Sequence, residues 1–491
     1  MERVNKQKGT MKTIKLISAT AMLLMLAACA NEDTSKDNGT IGQDKALTTF
    51  TSGDEPSSRT SMDRTATGEG KFFWTVDDNI WVNNGGTSES SSSSSITGKT
   101  DYAKFYFAST FPDGSYPVTY TGKNSTLSNE VTIAAAQTQS APNNTDHFAT
   151  SGDCGTATAK GANNKFTFKL RHQAAYICIQ PRCENAALGA NIYLTKIVVT
   201  SNNDIAGTYD LTSTGLTPKS SGTKTITLTT QGAGTDPGFR LNNTTTDITR
   251  NGSYLVIAPG THTLKIDCYL KDPTTEVEGF ISQTVSTTFA VNTVTDITAN
   301  LTPTDYGSPL YCQWDATIPY TNGFANEYNP AAHTYPAQAS NLCKDCPNIN
   351  QAMWYIERGN PSWDADLLWS QWNHLYKSGI WLKKSSEISG FTDATAPNGI
   401  DYRVNAPYLW NGIQATPNPT RPTDTTGYFF LPSAGYWIFD TLHEVGTVGQ
   451  YWTSSTLNRS SVIPAVLVFY QGVIRVFEQN PLLGGRTWTV R

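Results

Sequence analysis

The residues able to do chemistry are few, and their spacing is informative. Of the eight cysteines, Cys343 and Cys346 form a lone CxxC. A structural zinc site needs four ligands, and neither a second cysteine pair nor paired histidines lie nearby. A redox CxxC belongs in a thioredoxin-like βαβ context, which is absent. A local or nearby disulfide, with Cys312 among the candidate partners, is the expectation. Setting Cys29 aside leaves seven cysteines, an odd number, so at least one is free or intermolecular. Cys268 shares one face of an alternating run with Leu264 and Ile266, the pattern of a buried core thiol. His172, at the end of an alternating run, is expected to be a packing residue. Glu357, Asp364 and Asp366 fall on or before expected helices, where carboxylates cap or solvate. There is no GxSxG, HExxH, Walker A or GxGxxG in its required context. These residues point away from catalysis, and no cofactor or metal site is expected.

What must position them is a chain of 491 residues, a length that suggests about three domains. Only 16% of its residues are charged, against about 25% for an average globular chain. The net charge of −5 excludes a basic nucleic-acid footprint. Sustained heptads are absent, which excludes a coiled coil.

Location is written in the first residues. Lys12 and Lys15 precede the apolar run from Ile17 to Ala28, too short to span a bilayer as a permanent helix. The run ends in Leu26-Ala27-Ala28-Cys29. This resembles a bacterial lipobox, in which Cys29 takes the lipid and becomes the mature N-terminus; Met11 rather than Met1 is then the expected start. Asn31, Glu32 and Asp33 follow and resemble the surface-export signal of Bacteroidota lipoproteins. The expectation is a removed signal peptide over 1–28 and a lipid-anchored chain at the outer membrane or cell surface, with a flexible tether over 29–45.

From about 46 to 304 the chain alternates in short segments. Lys165 to Arg171, Ala175 to Gln180, Thr223 to Thr230, Ser253 to Ala258 and Thr263 to Leu270 read as strands, and Pro259-Gly260 as a turn. Ser88 to Ser95 reads as a disordered low-complexity loop. At about 305 the composition changes, and ten of the twelve tryptophans lie beyond this point. Asn348 is placed to cap a helix ending near Gly359. Asp364 to Lys377 sets Leu368, Trp372, Leu375 and Tyr376 along one helical stripe, with Gly379 just past its end. Ala465 to Tyr470 and Val473 to Phe477 flank Gln471-Gly472 as a hairpin. The fold class is therefore mostly β: two antiparallel β-sandwich domains, 46–160 and 161–304, followed by a Trp-rich α+β domain, 305–491.

The first two thirds resemble the fimbrillin-like family of Bacteroidota, lipoprotein precursors of type V pili. The resemblance is carried by Arg59-Thr60-Ser61-Met62, Lys71 to Trp74, Asp77 to Val82, Phe166 to Ala175, Val198-Val199 with Ile205 to Gly207, and Tyr254 to Gly260. It implies two tandem transthyretin-like sandwiches. The last third resembles the FISUMP-type domain, a relative of the C-type-lectin-like fold, through Phe430 to Tyr436, Val445-Gly446, Gly449 to Ser455 and Gly485 to Arg491. None of the calcium-site triplets E-P-N, Q-P-D or W-N-D occurs, and the cysteine pair of the related catalytic formylglycine-generating fold has no evident match.

The resemblance implies assembly by strand exchange: a protease cutting after Arg or Lys removes an N-terminal strand, and the next subunit supplies its replacement. Ala46 to Thr51 is the candidate removable strand, and Arg59 and Arg64, in a stretch without strand signals, are the candidate cleavage points. A whole domain where a donor strand would stand implies a tip adhesin that accepts a strand and donates none. Its partners would be other pilus subunits and a glycan or protein ligand, with no nucleic acid. The alternative is a pilus anchor or stand-alone surface lipoprotein whose last domain is structural. Trp372 and Trp452 are expected in the core; Trp363 and Trp410 are the candidate ligand-binding aromatics.

Overall fold

The computed structural model describes residues 47–53, 61–65, 67–68, 70–307, 311–320, 337–405, 412–457 and 463–488. Cys29, Arg59 and Trp410, and the expected signal peptide and tether, lie outside these residues. The described chain is mostly strand. The sheets are not purely antiparallel as expected. Thr48–Ser52 with Lys165–Phe168, Ala136–Gln139 with Thr225–Thr230, and Ala175–Arg182 with Val294–Asn300 are parallel pairs.

The first sheet contains the first strand among the described residues. Along it run Thr87–Ser90, Trp81–Asn84, Gly114–Tyr120, Gly155–Ala162, Lys165–Phe168, Thr48–Ser52, Lys104–Phe107 and Ser93–Ser94. Thr48–Ser52 is thus an interior strand. One core cluster joins Phe50, Trp74, Phe105, Phe107, Phe111, Phe166 and Phe168 from this region. The serine run expected to be disordered forms part of the sheet instead. Its hydroxyls bond to neighbouring backbone: Ser92 Oγ donates to Tyr106 O at 2.9 Å, and Ser95 Oγ accepts from Lys104 N at 2.9 Å.

The second region does not begin cleanly at 161. Lys165–Phe168 and Arg171–His172 pair into the first sheet. Conversely, Glu130–Ile133 and Ala136–Gln139 leave the first region and pair with Gly207–Thr212 and Thr225–Thr230. Three sheets then share one core. Two buried glutamines join two of them. Gln137 accepts from Val256 N at 2.9 Å and donates to Val256 O at 2.7 Å; Gln139 accepts from Tyr254 N at 2.7 Å and donates to Gly252 O at 2.9 Å. Their amides stand in for a missing strand, satisfying backbone groups that burial would otherwise strand. Cys268 lies in this core as expected.

In the last third, the helix Ile349–Glu357 forms where Asn348 caps it. Asn348 Oδ1 accepts from Gln351 N, and Gln351 Oε1 accepts from Asn348 N, a reciprocal capping box. The hairpin at Gln471-Gly472 also forms, between Ile463–Tyr470 and Val473–Glu478.

The second expected helix does not form. Asp364 to Lys377 belongs to a hairpin, Ser362–Gln371 paired with His374–Lys383. Its turn residues Trp372 and Asn373 have φ of 50° and 65°, the left-handed pair whose twist suits a two-residue hairpin. Trp372, expected in the core, stands at this tip and is 42% exposed, whereas Trp452 is fully buried as expected. Leu368 and Leu375 join the core of the second region. There Asp272 accepts from His374 Nδ1 at 3.0 Å and Leu375 N at 2.9 Å, and a Cβ on Gly279 would meet Leu368 Cδ2 at 2.6 Å.

Phe50→Ala should cost about 3–5 kcal/mol, the usual range for emptying an aromatic site in a packed core. Denaturant unfolding of the variant and the parent chain measures it.

Candidate functional site

The first candidate site is the seat of Thr48–Ser52. Its residues alternate, with Thr48, Phe50 and Ser52 buried and Thr49 and Thr51 half-buried. Both backbone edges are used, by Lys165–Phe168 on one side and Lys104–Phe107 on the other. Phe50 fills a ring-lined pocket: it stacks on Phe166 with centroids 4.8 Å apart and meets Phe107 and Phe111 edge-on, each at 5.1 Å. Small hydroxyl side chains flank it. Thr48 Oγ1 donates to Ser109 O at 2.7 Å, and Ser52 Oγ accepts from Ala103 N at 3.0 Å. The seat thus fits an extended segment with one large apolar side chain between two small polar ones.

The candidate cleavage points separate. Arg59 lies outside the described residues. Arg64 is not in a strand-free loop: it ends Ser61–Arg64, which pairs with Gly70–Phe73. Its side chain is buried, with its two terminal nitrogens on Asp296 at 2.6 and 2.9 Å and Nε donating to Gly68 O at 3.0 Å. The fork of donors suits a carboxylate.

The second candidate site is a cleft of about 690 Å³ lined by Phe280, Thr302, Trp363, Asp364, Asp366 and Arg421, among others. Trp363 lines it, yet is only 6% exposed. The expected surface aromatic is largely a core residue, because its indole packs among the apolar side chains of the last third. The cleft wall is shaped by a bulge. Between the pairs Asp364↔Gly379 and Leu368↔Lys377, three residues oppose one, Ser378, whose φ is 74°. Asp364, a buried carboxylate, holds this bulge by accepting from Asp366 N at 3.1 Å, Leu367 N at 3.0 Å and Trp381 Nε1 at 3.0 Å. It therefore acts inside the fold and is neither a helix cap nor a solvated surface group. The bulge turns Ala365 and Asp366 outward to solvent. Arg421 Nε lies 3.8 Å from Asp364 Oδ2, and its side chain is 54% exposed. The cleft offers a cation, a carboxylate and the exposed ring of Phe280, a set suited to binding.

The exposed aromatics that sequence reasoning missed lie elsewhere. Trp372 sits near Tyr311 and Trp437, with centroids 5.8 and 6.2 Å away, and Phe439 is 71% exposed at another hairpin tip. Asn373 after Trp372 was the available turn signal. His172 is fully buried, its Nδ1 2.7 Å from Asp153 Oδ1, and Tyr176 Oη donates to the same oxygen at 2.5 Å; the imidazole is a packing residue, as expected. Among the described residues no group of three or more His, Cys, Asp or Glu is arranged to hold a metal. No helix among them is long and apolar enough to cross a membrane.

No family model matches the chain, and no curated protein matches it. Solved structures similar to it include proteins from Bacteroides. A candidate cell adhesion protein from Bacteroides ovatus is 13% identical, with a TM-score of 0.33 over 52% of this chain and 93% of that one. One from Bacteroides uniformis is 16% identical, with a TM-score of 0.30 over 52% and 92%. A fimbrial protein from Bacteroides ovatus is 12% identical, with a TM-score of 0.23 over 54% and 51%.

Two outcomes follow from this geometry. Limited trypsin digestion of the folded chain should leave the Arg64–Thr65 bond intact while the denatured chain is cut there, as peptide mapping would show. Asp364→Ala should destabilise the protein by about 1–3 kcal/mol through unpaired buried donors, read as a lower denaturation midpoint.

Proposed function

We propose that this chain is a surface-displayed fimbrial subunit of the type V kind, assembled by strand exchange and placed at the pilus tip, with its last domain binding a glycan or protein. The observation that carries this reading is the interior position of Thr48–Ser52. An extended segment near the start of the chain, held by two backbone ladders and a single ring pocket, is what excision and replacement require. Arg59 is the favoured cleavage point, because Arg64 is held by Asp296. The tip position is supported by the folded last third. Its strand Gly485–Arg486 pairs with Tyr311–Cys312, and Arg486 is fully buried, so this segment is committed to its own domain. The ligand contact is assigned to the cleft beside Trp363, with Arg421 and Asp366 as its polar groups. The function is binding, not catalysis, in a lipoprotein precursor delivered to the outer membrane.

The decisive measurement is the N-terminus of the mature surface protein. A start at Thr60 supports excision of Thr48–Ser52. Mature protein that all retains lipid on Cys29 overturns strand exchange and favours the anchor or stand-alone lipoprotein. For the cleft, Arg421→Ala should weaken attachment to the ligand-bearing surface while changing stability by less than about 1 kcal/mol, because the Arg421 side chain is itself largely exposed and stands 3.8 Å from Asp364 without a hydrogen bond to it. Unchanged attachment would remove the cleft from the ligand site.

A further inference from the structure

Strand exchange makes no use of three thiols gathered in the last third. Cys312 ends the strand Tyr311–Cys312, and Cys343 and Cys346 lie in the turn before the helix Ile349–Glu357. Cys312 and Cys343 are 31 positions apart, both fully buried, and their Sγ atoms are 3.8 Å apart. That is van der Waals contact between sulfurs. The two segments are also held in register without them. Asp315, three residues after Cys312, accepts from Ser340 N at 2.8 Å and Asn341 N at 2.7 Å, and its own N–H points at Cys343 Sγ, 3.2 Å away. On the other side, Trp452 Nε1 donates to Cys312 O at 2.8 Å. Cys346 is tied to Cys343 on the same turn, Cys346 N to Cys343 O at 3.1 Å, and its thiol lies against Cys343 and the backbone of Trp488. A metal does not account for the cluster, since a zinc site needs four ligands and no group of three suitable residues is arranged for one among those described.

We propose that Cys312 and Cys343 are joined by a disulfide in the exported protein, and that Cys346 stays a thiol beside the bond. Export supplies the oxidising surroundings in which such bonds persist. One thiolate attacks the disulfide of a donor, a disulfide-exchange protein or oxidised glutathione, and forms a mixed disulfide. The second cysteine, deprotonated, attacks that sulfur and expels the donor. Two electrons and two protons leave with the donor as its two thiols. The neighbouring Cys312 thiol, together with burial, holds Cys343 well above the usual thiol range, so little thiolate exists once the domain has closed. Both sulfurs are fully buried in the folded domain, so the bond forms during folding, and the closed domain shields it from reductants.

The test is disulfide mapping of the full chain from two sources: protein recovered from the cell envelope, and protein refolded in a mixture of reduced and oxidised glutathione. Each is blocked with N-ethylmaleimide, digested without reductant and analysed by mass spectrometry. The expected product is a cross-linked peptide pair containing Cys312 and Cys343, with Cys346 blocked only after denaturation. The Cys346→Ser chain should give the same pair. A Cys343–Cys346 link, or three blocked thiols in the envelope protein, overturns the proposal. The refolded sample then tells whether the pairing or the compartment was at fault.

Discussion

The first sheet depends on a strand that the chain lays down almost at its start. Lys104–Phe107 and Lys165–Phe168 come from distant parts of the sequence, and neither pairs with the other; both pair with Thr48–Ser52. Take that strand away and two rows of backbone donors and acceptors are bared, with a ring-lined hole between them. Buried backbone groups without partners are costly, and an open edge recruits whatever extended segment fits. The same rule governs the second region, where space is filled differently: Gln137 and Gln139 supply side-chain amides to the edge of Ser253–Ile257. One gap is closed by a whole strand, the other by side chains alone.

Much of this was legible in the sequence, and the physical reasons differ by element. Alternation marked the strands because one face of each is buried. Asn348 and Gln351 marked a helix start because their side chains must satisfy the first free N–H groups. Gln471-Gly472 marked a hairpin because Gly472 adopts a φ of 85°. The stretch from Asp364 to Lys377 misled because its apolar residues are compatible with a helical stripe as well as with two strands. Tertiary contacts settled it: Leu368 and Leu375 are needed by a core belonging to the preceding region. The serine run misled because composition reports flexibility only when no neighbour takes up the hydroxyls.

The site was less legible than the fold. Trp363, a candidate ligand-binding aromatic, does line the cleft, but with little of its ring free. What shapes the cleft is Asp364, whose carboxylate organises a three-residue bulge. No local pattern announces such a bulge, since it exists only in relation to the strand opposite. Arg64 shows the same dependence, as its partner Asp296 is 232 positions away.

The contact at Asp272 has a mechanical consequence. This fully buried carboxylate, on the long strand Gly260–Asp272, grips the hairpin of the last third at His374 and Leu375, while Asn191 Nδ2 reaches Asn373 O at 2.9 Å. A force pulling on the last third is therefore taken up by a docked hairpin rather than by the connecting chain alone. Undocking the hairpin means breaking the hydrogen bonds at Asp272 and Asn191 together with the packing of Leu368 and Leu375.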